Sequence, residues 1–515
     1  MKVMNIKLAS FTFAALLLAS SSDSTDRPSG NVEKNIVGKE VTSITDAQEL
    51  ASRVVNFNST VTTTKARSRA AVTEPQLTQL SMPAAPTPTG EELPENIYSS
   101  SQAGNYVVTS SKSVSIGNVS NTNIYVKSGT LTITNQYQLG DNVNIYVLGG
   151  TVEYKSQSNL NGLSFYIYKD GAFKTSLSQI YVTLDSNFYV EGNFETTADF
   201  DNRGKMYVGG SLTGSKLYPG YGSQTTIEKN LSLKNDLSTD GDLYIGGDLK
   251  AQNLNFGSQV YIKGNVNISN NTYKTTTENA NVYIGGDLTA GDFKHNQGST
   301  TNVQGENGLD LSKKDITING TVNFAGSFKA NTLKLQGTTN FYACGVETKG
   351  EFRIDSNTAN LHTGYLKAAS IYQCASSHIY LNSNGYIDCS GTYQNENNGV
   401  GSVDLVGSGS KALFKANKVK YTGNNDFCLG KAYNNAYFST CYLFNAETEG
   451  STLYLDVTEF ENNGTVLTDM NVVPKGGKNA YWSEISSDYK ITDTQCGKTI
   501  TPTTPGKPTP PEKPG

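Results

Sequence analysis

The sequence predicts an all-β protein: a right-handed parallel β-helix, or solenoid, with disordered or extended N- and C-terminal segments. A phrase of apolar residue, Tyr and apolar residue recurs along the chain, most clearly in DLYIGGDLKA (242–251) and NVYIGGDLTA (281–290). Of the 14 prolines, only Pro219 and Pro474 lie between residues 97 and 497. The chain also contains 50 Gly and 30 Tyr, and only 17% of its residues are charged.

The recurring phrase predicts the repeating unit of the fold. Its copies follow one another about every 20 residues, which is typical of a solenoid built from short strands and tight turns. Because side chains alternate along a strand, the two aliphatics of each phrase point one way and the Tyr points the other. We expect the aliphatics to fill the tube, and the outward Tyr residues to stack as a surface ladder. The ladder is predicted to contain Tyr125, Tyr146, Tyr166, Tyr189, Tyr207, Tyr244, Tyr261 and Tyr283.

The scarcity of proline and the Gly-Gly pairs support the same fold. Proline cannot donate a backbone hydrogen bond, so a stack of parallel strands excludes it. The crossover preference of parallel strands predicts a right-handed coil. The Gly-Gly pairs supply turn conformations that other residues reach only with strain. Asp248 and Asp287, which follow two of these pairs, are expected to accept hydrogen bonds from local backbone N–H groups.

Composition divides the chain into five predicted segments. They are a signal peptide with a lipobox-like end (1–21), an N-terminal tether and linker (22–96), the parallel β-helix (97–424), Cys-containing C-terminal coils or a cap (425–498), and a Pro-rich linker (499–515).

The start of the chain predicts export. Lys2 and Lys7 precede an apolar run that is too short to span a bilayer, which is the layout of a signal peptide. The run ends in Leu-Ala-Ser-Ser (18–21), which is similar to a bacterial lipobox except that Ser21 stands where the acylated Cys would be. Two interpretations stay open: an ordinary signal-peptidase site, or a lipid-attachment position at residue 21 that requires a Cys.

The six cysteines all lie in the last third of the chain, and none forms a C-x-x-C pair, which argues against a zinc site. In an exported chain they are expected to form disulfides. Cys428 with Cys441 is the first candidate because the two are close in sequence, and Cys374 and Cys389 are further candidates.

The sequence offers no pattern for catalysis or for a cofactor. It lacks converging carboxylates and a Ser/His/Asp or Cys/His set, so we expect no enzyme activity, no cofactor and no metal. The three histidines, His295, His362 and His378, are expected to be solvated. A net charge of −5, without clustered Lys and Arg, argues against nucleic acid as a partner.

The ordered series NIYVLGGTVEY, MYVGGSLTG, VYIGGDLTA and NFYACGVETKGEF resembles the β-helical repeats of Bacteroides-type surface lipoproteins. These include surface-layer (S-layer) members and often carry a C-terminal LruC domain. The resemblance implies a non-catalytic coat or adhesive protein anchored in the outer membrane and facing outward. It also implies O-glycosylation at Ser24, since Asp23-Ser24-Thr25 is similar to the acceptor motif of that phylum. Ser21 departs from the family pattern, and no LruC domain is recognisable.

The leading hypothesis is a structural surface protein, a β-helical rod tethered to the outer membrane by an N-terminal lipid. Its expected partners are copies of itself in a lateral assembly. The first alternative is an adhesin that binds surface glycans through the Tyr ladder, and the second is a polysaccharide lyase or hydrolase. All three hypotheses describe an exported protein at the cell surface or outside the cell.

Overall fold

The computed structural model describes residues 74–157, 159–374, 376–396, 402–405 and 411–421, and the strand segments 427–429, 444–445, 452–461, 466–468, 473–474 and 481–482. The chain divides into two compact units, of which the first is residues 71–325 and the second includes the described residues from 326 onward. The predicted signal peptide, Ser21, Ser24, Cys441 and the Pro-rich segment 499–515 lie outside the described residues.

The unit of residues 71–325 is a parallel β-solenoid, which confirms the predicted fold class. Successive strands stack in columns, and every strand pairing among the described residues of this unit is parallel. Residues 163–202 illustrate one coil and its continuation. The first coil contains Leu163–Ile167, Ala172–Thr175 and Gln179–Val182. In the next coil, Asn187–Val190 pairs with the first of these strands, Asp199–Asn202 pairs with the third, and Phe194–Glu195 lies between them in the chain. A full coil therefore contains three short strands joined by tight turns.

The first column of this unit, which we call the ladder sheet, contains the apolar-Tyr-apolar phrases. Its strands are Glu91–Glu92, Asn105–Val108, Thr122–Val126, Val143–Val147, Leu163–Ile167, Asn187–Val190, Lys205–Val208, Gln224–Ile227, Asp242–Ile245, Gln259–Ile262, Asn281–Ile284, Thr300–Val303 and the part of Leu309–Thr348 that pairs at residues 321–324.

The other two columns complete the coils. Early in the unit they include the sheet of Asn96–Ile97, Lys112–Gly117, Thr130–Tyr137, Thr151–Tyr154 and Ala172–Thr175. Later they include Gln179–Val182, Phe194–Glu195, Asp199–Asn202, Leu212–Gly214, Leu217–Pro219, Leu231–Leu233, Leu237–Thr239, Leu249–Lys250, Leu254–Phe256, Val266–Thr275 and Leu288–Lys294.

The core is built by the aliphatic positions of the repeat, as the alternation predicts. Ile124, Ile145 and Phe165 lie opposite one another on neighbouring strands, and all three are 0% exposed. The second aliphatic of the phrase forms its own buried row, in which Val126 pairs with Val147. Each coil thus adds the same two apolar residues to the interior, and their burial favours stacking of the coils.

Asn and Asp side chains form hydrogen bonds between the turns of neighbouring coils. The Asn230 side-chain oxygen accepts from the backbone N–H of Asp248 (2.8 Å), and Asp248 Oδ1 accepts from that of Asn265 (2.7 Å). Asn265 in turn accepts from Asp287 N–H (2.9 Å). The predicted local role of Asp248 and Asp287 is wrong in this respect, because their bonds span neighbouring coils. A Cβ at Gly247 would lie 2.2 Å from Asn230 Oδ1, so this approach requires glycine.

The chain joins the solenoid earlier than the predicted boundary at residue 97. Glu91 and Glu92 pair in parallel with Tyr106 and Val107, and Asn96–Ile97 pairs with Lys112–Gly117. A single turn of 3-10 helix, Ser100–Gln102, is the one helix among the described residues, and a Ser99 capping box closes it.

The described strands of residues 326–515 also pair mainly in parallel, with the final strand Tyr481–Trp482 antiparallel to its two neighbours. The strand Leu309–Thr348 contains the division between the units. The remaining strands are Glu351–Ile354, Asn360–Ala368, Ser370–Cys374, His378–Glu396, Ser402–Leu405, Lys411–Tyr421, Phe427–Leu429, Phe444–Asn445, Thr452–Glu461, Val466–Thr468, Val473–Pro474 and Tyr481–Trp482.

Candidate functional site

The predicted Tyr ladder is present as two stacks. Tyr125, Tyr146, Tyr166, Tyr189 and Tyr207 follow one another with ring centroids 5.0–5.9 Å apart. The second stack has centroid distances of 5.3 Å and 4.9 Å, and it consists of Tyr244, Tyr261 and Tyr283. Thr226 occupies the position between the two stacks, opposite both Tyr207 and Tyr244.

The ladder is less exposed than the sequence predicts. Tyr125 and Tyr189 are only 6% and 8% exposed, and the other members are half-buried. Burial raises the pKa of Tyr146 and Tyr189 to about 12, with neighbouring tyrosines contributing in the same direction. The hydroxyl groups of these residues therefore stay protonated at neutral pH.

An extended segment, residues 74–90, which we call the strap, lies along the ladder sheet. Glu74 hydrogen-bonds with Tyr283, and Gln79 with Tyr244. The Leu80 N–H donates to Thr226 Oγ1 at 3.0 Å, and the Tyr168 hydroxyl donates to the Ala84 carbonyl at 3.2 Å.

The strap runs opposite to the order of the coils, because residues later in the strap contact coils that come earlier in the solenoid. It ends beside the first coils, where Asn105 Nδ2 donates to Thr89 Oγ1 at 3.3 Å. From Glu74 to Thr89 an extended chain reaches about 46 Å, which is close to the height of about 43 Å of the ladder strands between Tyr283 and Asn105. Residues 74–90 belong to the predicted tether (22–96), yet in the structure they pack on the solenoid and cover the surface that was expected to be exposed.

The histidines are not the solvated residues that the sequence predicts. His362 stacks between Tyr342 and Tyr380, with centroid distances of 4.2 Å and 4.4 Å, and burial lowers its pKa to about 4. His378 Nδ1 lies 2.9 Å from Asp404 Oδ2. His295 is 4% exposed. The expected solvation of His362 is wrong, because its ring is buried between two tyrosines.

His295 belongs to a buried polar network in the unit of residues 71–325. Its Nε2 lies 3.0 Å from Thr301 Oγ1, which is also 2.6 Å from the Tyr273 hydroxyl. Its Nδ1 faces the Asn319 carbonyl, and because a carbonyl only accepts, Nδ1 carries the proton. Burial lowers the pKa of His295 to about 4, so the ring is neutral and structural.

The cysteines correct one part of the disulfide prediction. Cys374 and Cys389 are thiols, and they occupy different register positions, since Cys374 lies opposite Glu396 whereas Cys389 lies opposite Ala368. Cys344, by contrast, is disulfide-bonded. The predicted pair Cys428–Cys441 lies outside the part of the chain whose side chains are described.

No cluster of three or more His, Cys, Asp and Glu side chains suited to a metal ion occurs among the described residues. Within the same residues, no helix has the length and hydropathy needed to cross a membrane.

The sequence reasoning missed Tyr181, although its phrase IYV (180–182) has the repeat pattern. The structure places this phrase in the column of Asp199–Asn202 and Leu217–Pro219, at a separate position from the ladder sheet. Tyr181 is 36% exposed. The phrase alone does not say which face of a coil it occupies, because every column of the solenoid uses the same alternation.

Residues 182–281 match a family model described as "Putative Ice-binding-like adhesive domain". No curated protein and no solved structure matches the chain. The matched residues lie within the solenoid unit, and an adhesive-type domain on a parallel β-solenoid fits a structural or adhesive role at a surface.

Proposed function

We propose that this chain is a non-enzymatic adhesive protein that acts outside the cell. The adhesive-domain match over residues 182–281 carries the proposal. That segment forms consecutive coils held in register by parallel pairing, for example Tyr189 opposite Tyr207 and Tyr244 opposite Tyr261. A stack of this kind offers a stiff surface on which side chains keep fixed positions, which lowers the entropy cost of binding.

The non-enzymatic part of the proposal has its own support. His295 and His362, each with a pKa near 4, are poor general bases at neutral pH. The carboxylates of the described turns, such as Asp248 and Asp287, are engaged as acceptors for backbone N–H groups of the next coil. These side chains stabilise the fold, and the proposed binding requires no acid–base chemistry from them.

A coat or surface-layer role is the second candidate function, and the regular register favours it. The same positions recur once per coil, so two copies of the chain lying side by side could repeat one contact many times. Under either candidate, we propose that an N-terminal lipid on residue 21, if that residue is Cys, tethers the chain to the outer membrane.

Retention of coated beads under flow tests the proposal. Beads carrying the full-length chain are passed over cell-wall polysaccharide, a mucin-type glycoprotein and the immobilised chain itself, with beads carrying heat-unfolded chain as the control. Retention on either glycan surface supports adhesion, and retention on the chain alone supports the coat role instead. Retention on none of the three surfaces would contradict both candidates.

A further inference from the structure

Exposed apolar side chains concentrate at one corner of the solenoid. Among the described residues, the exposed large hydrophobic side chains include Tyr181 at 36%, Leu184 at 68% and Tyr221 at 88%. Single exposed apolar residues are ordinary on protein surfaces, but a cluster of them marks a binding surface. All three lie on or beside the turns that lead from one column back to the ladder sheet.

One of these side chains reaches the turn that carries another, although the two come from different coils. Leu184 precedes the ladder strand Asn187–Val190, and Tyr221 precedes the ladder strand Gln224–Ile227, two strands further along the stack. Leu184 Cδ2 nevertheless lies 3.9 Å from the position that a Cβ on Gly222 would take. Leu184 therefore reaches across the intervening turn to Gly222, the residue that follows Tyr221.

A carboxylate lies between two aromatic rings beside this corner. Asp201 is opposite Tyr181 on one neighbouring strand and opposite Tyr218 on the other. Strands stack at about 4.8 Å, so the two tyrosines stand about 10 Å apart with Asp201 between them. The Asp201 side chain is only 11% exposed, whereas that of its partner Arg203 is 59% exposed.

Arg203 connects the carboxylate to the exposed corner. Its Nε lies 3.4 Å from Asp201 Oδ1, and its Cγ lies 3.1 Å from the position of a Cβ on Gly220. The absence of a side chain at Gly220 thus lets the Arg203 stem lie along the turn next to Tyr221. Burial raises the pKa of Asp201, an effect that Arg203 opposes.

We propose that this corner binds a neutral saccharide chain, and we call it the corner patch. It consists of Tyr181, Leu184, Asp201, Arg203, Tyr218 and Tyr221. The inference rests on the proposed adhesive function and names its ligand class and its site. Tyr and Leu offer apolar surface to the C–H face of a sugar ring. Asp201 accepts and Arg203 donates hydrogen bonds, which suits adjacent sugar hydroxyls because each hydroxyl both donates and accepts.

The charges of the corner favour a neutral ligand over an acidic one. Arg203 faces Asp201, and Lys216 Nζ lies 3.7 Å from Asp199 Oδ2. The Tyr218 hydroxyl donates to Asp240, another carboxylate. An acidic polysaccharide would meet carboxylates here, and the nearby cations are already engaged with them.

The location of the patch agrees with the adhesive role better than the Tyr ladder does. The strap lies over the ladder sheet, whereas Tyr221 is 88% exposed. All members of the patch except Tyr181 fall within the matched residues 182–281, and Tyr181 directly precedes them. The corner patch, and not the Tyr ladder, is therefore the proposed glycan-binding surface.

The binding test uses the full-length chain and defined oligosaccharides. The neutral probes are cellohexaose, maltohexaose, mannohexaose and chitohexaose, and the acidic probe is hexagalacturonate. We expect the wild type to bind at least one neutral probe. The double variant Tyr181→Ser/Tyr221→Ser and the variant Asp201→Asn should each weaken that binding at least about tenfold, or about 1.4 kcal/mol. The matched control is Tyr137→Ser, since Tyr137 is an exposed tyrosine (52%) on a different sheet, and it should bind like the wild type.

Several results would overturn the inference: binding of no neutral probe, preference for hexagalacturonate, or equal affinities of the wild type and the corner variants. Far-ultraviolet circular dichroism checks that every variant keeps the wild-type fold. The bead assay distinguishes failure of the corner patch from failure of the adhesive function. If beads carrying the corner variants are retained on a glycan surface like wild-type beads, the corner patch is wrong but adhesion stands. If wild-type beads are not retained on a glycan surface, adhesion itself fails.

Discussion

The contribution of the Tyr ladder to stability can be tested at Tyr261, which stacks on both sides. Its ring is 5.3 Å from that of Tyr244 and 4.9 Å from that of Tyr283, with interplanar angles of 8° and 9°. Each such pair is worth about 0.5–1.5 kcal/mol beyond area burial, so Tyr261→Ala should lose about 1–3 kcal/mol from stacking alone. Tyr244→Ala removes one of these pairs, so its stacking loss should be about half as large.

The assay is equilibrium urea unfolding of the full-length chain, followed by far-ultraviolet circular dichroism. Tyr261→Phe keeps both stacked rings and should unfold close to the wild-type midpoint. Tyr137→Ala is the matched control, because Tyr137 is 52% exposed and has no stacked ring among the described residues. The reasoning is refuted if Tyr261→Ala costs no more free energy of unfolding than Tyr244→Ala or Tyr137→Ala.

Three further predictions concern the buried network, the strap and the chain start. Burial lowers the pKa of His295 from 6.5 to about 4, so the unfolded state binds more protons between these values and stability falls as pH drops through that window. From pH 7 to pH 5 the wild type should lose about 2 kcal/mol more free energy of unfolding than His295→Gln, and equal losses would count against the neutral buried ring. Deleting the strap (74–90) should increase chemical nitration of Tyr244 and Tyr261, located by mass spectrometry, and unchanged nitration would contradict its covering role. Ser21→Cys, expressed in a Bacteroides-type host, should take up labelled fatty acid, and absence of label would refute the lipid tether.

The solenoid was predictable because its signal is local and repeated. In NIYV, MYV and VYI the alternation of a single strand decides which residues face the core, and Ile145, Met206 and Val282 are all 0% exposed as expected. The stacking of Tyr on Tyr also follows from the register, since equal coils place equal positions opposite one another.

The strap could not be predicted because its position depends on contacts between distant parts of the chain. Residues 74–90 have no strand alternation, and their prolines are typical of a linker. Their bonds reach partners far away in sequence, as when Leu80 N–H meets Thr226. Composition describes the local stiffness of such a segment, but it does not say against which surface the segment packs.

The histidines and the corner patch were missed for a related reason. His295 lies beside strand positions whose neighbours become known only when the coils are stacked, and its partners Thr301 and Asn319 come from later parts of the chain. The exposure of Tyr221 likewise depends on the height of the adjacent turns. A single sequence gives the order of residues along each coil, but it does not say how far each turn protrudes at the corner between two columns.

The most direct test of the account measures binding and turnover on one sample. The full-length chain is incubated with the polysaccharide that best retains it, and both the bound protein and the newly formed reducing or unsaturated ends are quantified over time. The account predicts saturable binding that the double variant Tyr181→Ser/Tyr221→Ser weakens, with no release of new ends above the protein-free blank. Sustained release of ends that depends on the folded chain would contradict the non-enzymatic adhesive role.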